Sequence, residues 1–389
     1  MKNWVEVEKR VARAAEESVR AYSLKKTFAG FIPKSLRARI DSWQFGHYGW
    51  TSPVNLMITA CWIKWLYPSQ DICKIWAKDA QNKPIPGSYS IRSFDERITV
   101  PLVSKLGVYY NFCSNNSGMQ GTRAIEKTRV ATRLNRNTKL DQRVLFDLSL
   151  FVNIMNDIND LRPNLAFRAF QYFIEIGCRK AGERKLKLEE LKSQAYSKEG
   201  DIARAILTSL QEIKDPQFVK IIGVTLTSKL ACYSNLFKGG QLFGAEGTKT
   251  GANARSKEPG DIWLEIKGEP ILAVEVKDAS KQFGFEILSA VEDRYNNNRH
   301  LAFYILLTAA ESAVPEKVLS DKAWQTNIER LRRLGLKIHL TTFRNLLVLL
   351  SILGPIDASY IEAVNAYLST SPDLKLNTLT QWKGIIAGL

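Results

Sequence analysis

Two carboxylates and one ammonium group stand close together in the second half of this chain. Asp261 opens a short run of alternating apolar and polar residues, and Glu275 and Lys277 lie on a second such run. A turn at Gly268 separates the two runs, and this pattern is typical of a β-hairpin. Antiparallel pairing brings Asp261 beside Val276 and within reach of Glu275. Glu275 and Lys277 share one face of their strand because they are two residues apart.

This trio of side chains suits metal-assisted cleavage of a phosphodiester bond. Asp261 and Glu275 supply hard carboxylate oxygens of the kind that Mg²⁺ binds, and the Val276 carbonyl is a candidate third ligand. A metal ion in that position polarises a phosphate oxygen and lowers the pKa of a bound water. Lys277 orients that water and stabilises charge on the pentavalent phosphate. The alternative is an exposed hairpin whose charges only face water. The acid at the strand entry, the hairpin, and the helix and strand that follow favour catalysis.

The order of these residues resembles the signature of the PD-(D/E)XK nuclease superfamily. That superfamily includes most type II restriction endonucleases and several repair and recombination nucleases. Its pattern is Pro-Asp, a variable spacer, then Asp or Glu, any residue, and Lys; here Asp261 is followed by Glu275 and Lys277. Gly260 separates the proline from the acid, but that proline is not a metal ligand. The resemblance covers residues 253–308 and implies a Mg²⁺-dependent nuclease whose products carry a 5′-phosphate and a 3′-hydroxyl.

A second likeness lies in the first half of the chain. The words Tyr-Ser-Ile-Arg-Ser-Phe-Asp (residues 89–95) and Thr-Arg-Ala-Ile-Glu (residues 122–126) resemble the N-terminal halves of some type II restriction enzymes, the SacI-like group among them. This likeness favours a restriction enzyme over a general repair nuclease.

Basic residues with Thr and Asn between them are concentrated in the same region, and such spacing places donors along a DNA backbone. A glycine-rich loop at residues 238–258 lies ahead of the predicted metal site, and its Lys249 and Arg255 are also candidates for contacts with DNA. A solvated basic helix face is the alternative for the first set. The predicted DNA-binding residues are Arg92, Arg97, Arg123, Lys127, Arg129, Arg133, Arg136, Lys249 and Arg255.

The charge balance points to a polyanionic partner. The 389 residues include 55 Lys and Arg against 39 Asp and Glu, for a formal net charge of +16. The contents of 45% hydrophobic and 24% charged residues are those of an ordinary globular protein. The excess of positive charge is not ordinary, and it favours binding to a polyanion. Double-stranded DNA is the first candidate. An acidic membrane surface competes with it, but no lipidation motif or basic segment beside a membrane span supports that alternative.

Other features bound the cellular setting and the cofactors. Five widely spaced cysteines without a Cys-x-x-Cys motif fit a reducing compartment. The N-terminus lacks the apolar core of a signal peptide, and the most apolar run, residues 346–353, is too short to span a membrane. The glycine-rich loop matches neither nucleotide-binding fingerprint. We therefore expect a cytoplasmic protein with no membrane partner and no nucleotide cofactor.

Patterns of spacing predict an α/β fold in two domains. Residues 1–200 read as a mainly helical DNA-recognition domain, and residues 201–389 as the nuclease domain. Strands alternating with helices after residue 260 predict a mixed central sheet flanked by helices, a restriction-endonuclease-like core. Gln282 and Glu286 are four apart on a helix predicted for residues 280–294, so they share a face and are candidate auxiliary residues at the metal site. The aromatic residues between 43 and 67 are expected to form a helical core, with contacts to DNA as the alternative.

The function expected from the sequence is that of a type II restriction endonuclease, with Asp261 and Glu275 on Mg²⁺ and Lys277 acting on the water. A palindromic site cut on both strands favours a twofold homodimer. One alternative with the same chemistry is a repair or modification-dependent nuclease. An alternative of a different class is a DNA-binding protein whose nuclease fold is catalytically silent.

Overall fold

Among the residues that the structure describes, the regular elements of the first half are helices and the β-sheet lies in the second half. The computed structural model describes residues 4–47, 49–107, 112–114, 117–121, 134–135, 146–193, 202–233, 239–244, 258–280, 282–371 and 374–388. Contacts divide the chain into two units. The first is Met1–Leu186 with Lys375–Asn377, and the second is Lys187–Leu374 with Thr378–Leu389. The sequence placed its domain boundary nearby, at residue 200.

The described regular elements of the first unit are helices, and a long irregular stretch, residues 67–90, joins two of them. Its elements are α1 (Trp4–Ser23), a 3₁₀ turn (Ala29–Phe31), α2 (Lys34–Asp41), α3 (Ser52–Leu66), α4 (Ile91–Phe94), a π-helical turn (Asp95–Thr99), α5 (Val100–Leu106), α6 (Gly118–Gly121), α7 (Leu148–Asn159) and α8 (Pro163–Ser193), whose last turns pass into the second unit. Pro163 opens α8 because a first-turn residue needs no backbone N–H.

The aromatic side chains of the first unit pack inward, as the sequence predicted. Trp43, Phe45 and Trp62 are buried in one continuous apolar cluster, and Trp50 and Trp65 pack against it. Trp43 and Trp50 meet edge to face with ring centroids 4.8 Å apart. Aromatic rings carry large apolar areas, so this cluster is the principal source of stability of the unit.

The carboxylate of Asp95 is fully buried within this unit. Asp95 begins the π-helical turn and accepts a hydrogen bond from the backbone N–H of Gly118. Thr59 donates to the same carboxylate over 3.5 Å, and Thr59 and Thr99 share a hydrogen bond of 2.6 Å. Burial raises the pKa of Asp95 to about 7, although the Gly118 hydrogen bond opposes the shift.

The stability of the protein is therefore expected to depend on pH through Asp95. Below the ordinary Asp pKa of 3.8, Asp95 is protonated in both the folded and the unfolded chain. Its contribution to the free energy of unfolding is then fully present. As the pH rises to about 7, the unfolded chain ionises first, and roughly 4 kcal/mol of stability is lost. The free energy of unfolding of Asp95→Asn, compared with that of wild type, should increase by about this amount from pH 4 to pH 8. Urea unfolding followed by tryptophan fluorescence measures it. Asp147→Asn, at the exposed start of α7, is the control, and an equal gain in that variant would contradict the assignment.

The second unit surrounds the sheet with helices. From the end of α8 onward its elements are α9 (Ile202–Glu212), α10 (Pro216–Tyr233), β1 (Gln241–Phe243), β2 (Ile262–Ile266), β3 (Glu269–Lys277), α11 (Ile287–Asn297), β4 (Phe303–Thr308), α12 (Glu316–Leu319), α13 (Lys322–Arg333), β5 (Lys337–Thr342), α14 (Phe343–Leu353), α15 (Ala358–Thr370) and α16 (Leu376–Ile386). No helix in the described parts of either unit is both long and apolar enough to cross a bilayer.

The five strands lie in the order β1-β2-β3-β4-β5. The first three pair antiparallel, whereas β3, β4 and β5 run parallel. Parallel neighbours need a crossover, and α11 and α13 provide the two crossovers here. The predicted mixed α/β architecture is thus confirmed. The strand β1 was not predicted, because its three residues lie inside the glycine-rich stretch that reads as a loop.

The predicted hairpin forms, with its turn one residue earlier than the sequence indicated. Lys267 and Gly268 have φ angles of 54° and 82°, which is the backbone of a type I′ turn. Pro270 therefore lies within β3, opposite Glu265, where the register shifts by a bulge. The pairing of β3 with β4 begins only at Leu272, after the proline. The missing N–H of Pro270 therefore removes no hydrogen bond to β4.

The two faces of the sheet have different neighbours. Leu272 and Val274 belong to the apolar cluster that includes residues of α10, α14 and α15. Ala273, between them, belongs to the cluster formed with α11 and α13. Because side chains alternate along a strand, Glu275 and Lys277 follow Ala273 onto the α11 side. The alternation thus positions the charged end of β3.

Candidate active site

Asp261 is held at the end of β3 by the main chain. Its Oδ2 accepts a hydrogen bond of 2.9 Å from the backbone N–H of Val276. The hairpin therefore places Asp261 beside Val276, as predicted. The glycine that interrupts the signature is needed for this approach, because a Cβ at Gly260 would lie 2.9 Å from the carbonyl oxygen of Val274.

Glu275 is the more buried of the two carboxylates. The residue is 5% exposed, and Arg294 of α11 donates a hydrogen bond to its Oε2. Burial raises the pKa of Glu275, the negative charge of Asp261 raises it further, and Arg294 and Lys277 oppose both effects. The antiparallel pairing of β2 and β3 brings the two predicted metal ligands to the same end of the hairpin, which is why the charge of Asp261 acts on Glu275.

Lys277 lies beside the same carboxylate. Its Nζ is 3.7 Å from Oε1 of Glu275 and 5.9 Å from the ring centroid of Phe283. The carbonyl of Lys277 accepts a hydrogen bond from the N–H of Ala309, on the β4 side. Backbone groups of successive strand residues point in opposite directions, so the Val276 carbonyl points toward Asp261. All four residues predicted for the catalytic and metal positions are thus at one end of the β2–β3 pair.

Three residues at this site were not found from the sequence. Lys220 on α10 places its Nζ 3.6 Å from Oδ1 of Asp261. A signal for it was present, since it is a lone cation in an apolar stretch of that helix. Arg294 donates hydrogen bonds to both Glu275 and the hydroxyl of Tyr304. Burial raises the pKa of the Tyr304 hydroxyl, and the neighbouring Glu275 raises it further. Sequence spacing contains no signal for this contact, because it joins β3, α11 and β4.

The donor set fits Mg²⁺. Asp261 accepts a hydrogen bond from the Val276 N–H, and Glu275 accepts one from Arg294. A lysine ammonium lies 3.6 Å from Oδ1 of Asp261, and another lies 3.7 Å from Oε1 of Glu275. Mg²⁺ commonly binds proteins through one or two carboxylates and keeps several waters. Within the described ranges no cluster of three or more His, Cys, Asp or Glu side chains forms, so this site offers two carboxylates and a main-chain carbonyl.

The geometry assumed for the auxiliary residues is wrong. The helix predicted for residues 280–294 begins only at Ile287, with Glu286 at its N-cap position. Gln282 therefore lies in the preceding loop, where its amide donates to the carbonyl of Ser312 over 3.1 Å. Because Gln282 and Glu286 do not share a helix face, the spacing argument for them fails. An auxiliary role for either residue stays a prediction.

Two of the predicted DNA-binding residues have partners in the first unit. Arg92 forms an ion pair of 2.7 Å with Glu96, one turn further along. The guanidinium of Arg97 lies 5.0 Å from the ring centroid of Trp4. The first contact is local and the second joins the π-helical turn to α1; neither tests a role in DNA binding, which stays a prediction. The other predicted residues lie outside the described part of the chain: Arg123, Lys127, Arg129, Arg133, Arg136, Lys249 and Arg255.

Gly244, directly after β1, lies against the backbone of Asp261. Its φ is +106°, and a Cβ there would lie 2.2 Å from the carbonyl oxygen of Asp261. Gly244→Ala is expected to displace Asp261 and to lower the free energy of unfolding by about 2 to 4 kcal/mol, which combines a steric clash with left-handed strain. Gly239→Ala is the matched control, since Gly239 has φ +81° and nothing within 4 Å. It should lose only about 1 to 2 kcal/mol in thermal or urea unfolding. Equal losses would show that Gly244 does not hold Asp261 in place.

The fold and site thus define a mixed α/β protein with two carboxylates and a lysine at the end of a hairpin. The chain matches no protein-family model, and no curated protein matches it.

Proposed function

We propose that the protein is a Mg²⁺-dependent endonuclease that hydrolyses phosphodiester bonds in double-stranded DNA, and that it is a type II restriction endonuclease. One observation carries the proposal. Asp261, Glu275 and Lys277 meet at the end of one strand pair, with Oδ2 of Asp261 hydrogen-bonded to the N–H of Val276. The mixed sheet with helices on both faces supports a restriction-endonuclease-like core, the architecture that the PD-(D/E)XK resemblance implies.

Each residue has a distinct part in the proposed reaction. Bound Mg²⁺ supplies Lewis-acid activation of the phosphate and of a water. Asp261 and Glu275 hold the ion, and the hydrogen bonds from Val276 and Arg294 limit the rotation of the two carboxylates. Lys277 orients the attacking water and stabilises the charge that develops on the phosphate. Lys220, beside Asp261, adds a second positive charge near the phosphate.

The charge of the chain supports nucleic acid as the substrate. A net charge of +16 attracts a polyanion and raises its local concentration at the protein surface. The two carboxylates would otherwise repel a phosphate, and the cations Lys220, Lys277 and Arg294 beside them offset this repulsion. Cleavage of both strands of a palindromic site would use two copies of the chain, so a homodimer is part of this proposal.

A plasmid assay with Mg²⁺ tests the proposal against its alternatives. Discrete DNA fragments that disappear with Glu275→Gln support a restriction endonuclease. Cleavage confined to methylated or damaged plasmid supports a repair or modification-dependent nuclease. Binding without cleavage at any Mg²⁺ concentration supports a catalytically silent DNA-binding protein and contradicts the proposed activity.

Affinity for DNA is expected to decrease steeply with salt. A protein that contacts six to ten phosphates loses about 10³- to 10⁵-fold in affinity between 50 and 200 mM salt, because bound lysines and arginines release counterions from the DNA. Fluorescence anisotropy of a labelled duplex, measured in EDTA, gives this dependence without interference from cleavage. A flat salt dependence would contradict the assignment of DNA as the polyanion.

A further inference from the structure

Two aromatic side chains stack against each other on the first two strands of the sheet. Phe243 of β1 pairs with Trp263 of β2, and their rings lie 5.5 Å apart with an interplanar angle of 12°. The indole Nε1–H of Trp263 donates a hydrogen bond of 2.8 Å to Oε1 of Glu265. This bond fixes the orientation of the indole. The result is a rigid aromatic surface, which we call the aromatic pair.

The aromatic pair is on the same face of the sheet as the candidate active site. The residues on either side of Trp263, Ile262 and Leu264, belong to the core on the α10 side. Trp263 pairs with Ala273, which belongs to the cluster on the α11 side, the side of Glu275. Trp263 is two residues from Asp261 along the chain, a separation of about 7 Å at the rise of a strand.

The aromatic pair is not part of either apolar core. Both rings are partly exposed, and among the described residues neither ring is included in the cores formed with α10 or with α11 and α13. Within that part of the chain, the apolar cluster on the α11 side joins residues of β3, β4 and β5 to α11 and α13 and includes neither ring of the aromatic pair. Its large apolar area beside a site for phosphate is the kind of surface on which nucleobases stack.

We propose that the aromatic pair is a stacking platform for an unpaired nucleobase next to the scissile phosphate. The inference rests on the proposed nuclease function and adds that a base beside the cut leaves the duplex stack when the DNA is bound. A separation of about 7 Å corresponds to about two base steps of 3.4 Å, so the stacked base belongs to a nucleotide near the one that is cleaved. Every base has a π-face, so the platform selects an unstacked base without selecting its sequence.

The test uses DNA that carries 2-aminopurine, a fluorescent base, either unpaired in a one-nucleotide bulge or paired in a matched duplex. Binding is measured in EDTA, so the result does not depend on cleavage. The wild-type protein is expected to quench the unpaired probe and to bind the bulged DNA about 10-fold more tightly than the paired DNA, since one stacked base contributes about 1 to 3 kcal/mol. Trp263→Leu and Phe243→Leu should each lose both the quenching and the preference.

Two further variants keep the test decisive. Trp263→Phe preserves an aromatic ring and should retain most of the preference, which separates stacking from a folding defect. Phe31→Leu removes an exposed aromatic residue of the first unit and should bind as wild type does. Thermal unfolding of each variant shows whether the fold survives.

An unchanged preference in Trp263→Leu and Phe243→Leu would overturn the inference and leave the aromatic pair as strand packing only. In that case Mg²⁺-dependent cleavage that is lost in Glu275→Gln would still support the nuclease. Wild-type protein that binds neither DNA would overturn both proposals. Binding of bulged DNA with the expected quenching, but without cleavage, would overturn the nuclease function alone.

Discussion

Glu275→Gln is expected to reduce the rate of Mg²⁺-dependent DNA cleavage by roughly 10³-fold. The variant replaces one of the two carboxylates proposed to hold the ion with a neutral amide of the same shape. A bound metal contributes several kcal/mol of transition-state stabilisation, and about 4 kcal/mol corresponds to a factor of 10³. DNA binding in EDTA should not weaken, because the substitution removes a negative charge that repels the phosphate. Single-turnover cleavage of a labelled duplex measures the rate.

Glu292→Gln is the matched control for this experiment. Glu292 lies on the same helix as Arg294 and forms an ion pair with Arg330 of α13 at the surface. The same chemical change there should leave the cleavage rate within about twofold of wild type, as most surface substitutions do. If Glu275→Gln cleaved at the wild-type rate, the assignment of the metal site to the end of β3 would be wrong.

Arg294→Met should destabilise the second unit by about 3 to 5 kcal/mol. The side chains of Arg294 and Glu275 are 12% and 7% exposed, so the pair is buried. Removal of one partner leaves a buried carboxylate without its charge partner, and such changes cost about 3 to 5 kcal/mol. The hydroxyl of Tyr304 would lose a contact with Arg294 in the same step. Urea unfolding of wild type and variant measures the change in the free energy of unfolding.

The surface pair of Arg330 and Glu292 again provides the comparison. Its side chains are 48% and 29% exposed, so Arg330→Met should cost only about 0 to 1 kcal/mol. The double variant Glu275→Gln with Arg294→Met completes a thermodynamic cycle. Because both charges are absent from it, it should be less destabilised than the sum of the two single variants. Strict additivity, or equal losses in Arg294→Met and Arg330→Met, would contradict the role of burial in this pair.

The hydrogen bond from Arg294 to Glu275 also orients this proposed metal ligand. Arg294 limits the rotation of the carboxylate through Oε2 and leaves Oε1 on the side of Lys277. A fixed ligand orientation lowers the cost of arranging the site when metal binds. The arginine also opposes the rise in the pKa of Glu275 that burial and Asp261 cause. One buried residue thus acts on both the stability of the fold and the charge state of the proposed ligand.

Local patterns predicted much of the second unit. The alternation of strands and helices predicted after residue 260 is confirmed, with β4, α13, β5 and α14 (Phe343–Leu353) following one another along the chain. Helices and strands with strong periodicity are specified by their own residues, since one face of each must be buried. The start of α11 was not predictable in the same way. Before this helix, the side-chain amide of Gln282 donates to the carbonyl of Ser312, and that contact is distant in sequence.

The sequence by itself determined the hairpin and its charged end. Alternation and the Lys267–Gly268 turn are local properties, and together they place Asp261, Glu275 and Lys277 in one register. Tertiary structure alone decided which groups surround them. Lys220, Arg294 and Tyr304 reach the site from α10, α11 and β4, and their approach depends on how helices pack on the sheet. Side-chain spacing encodes the face a residue occupies, whereas only the packed fold determines which distant residue lies opposite to it.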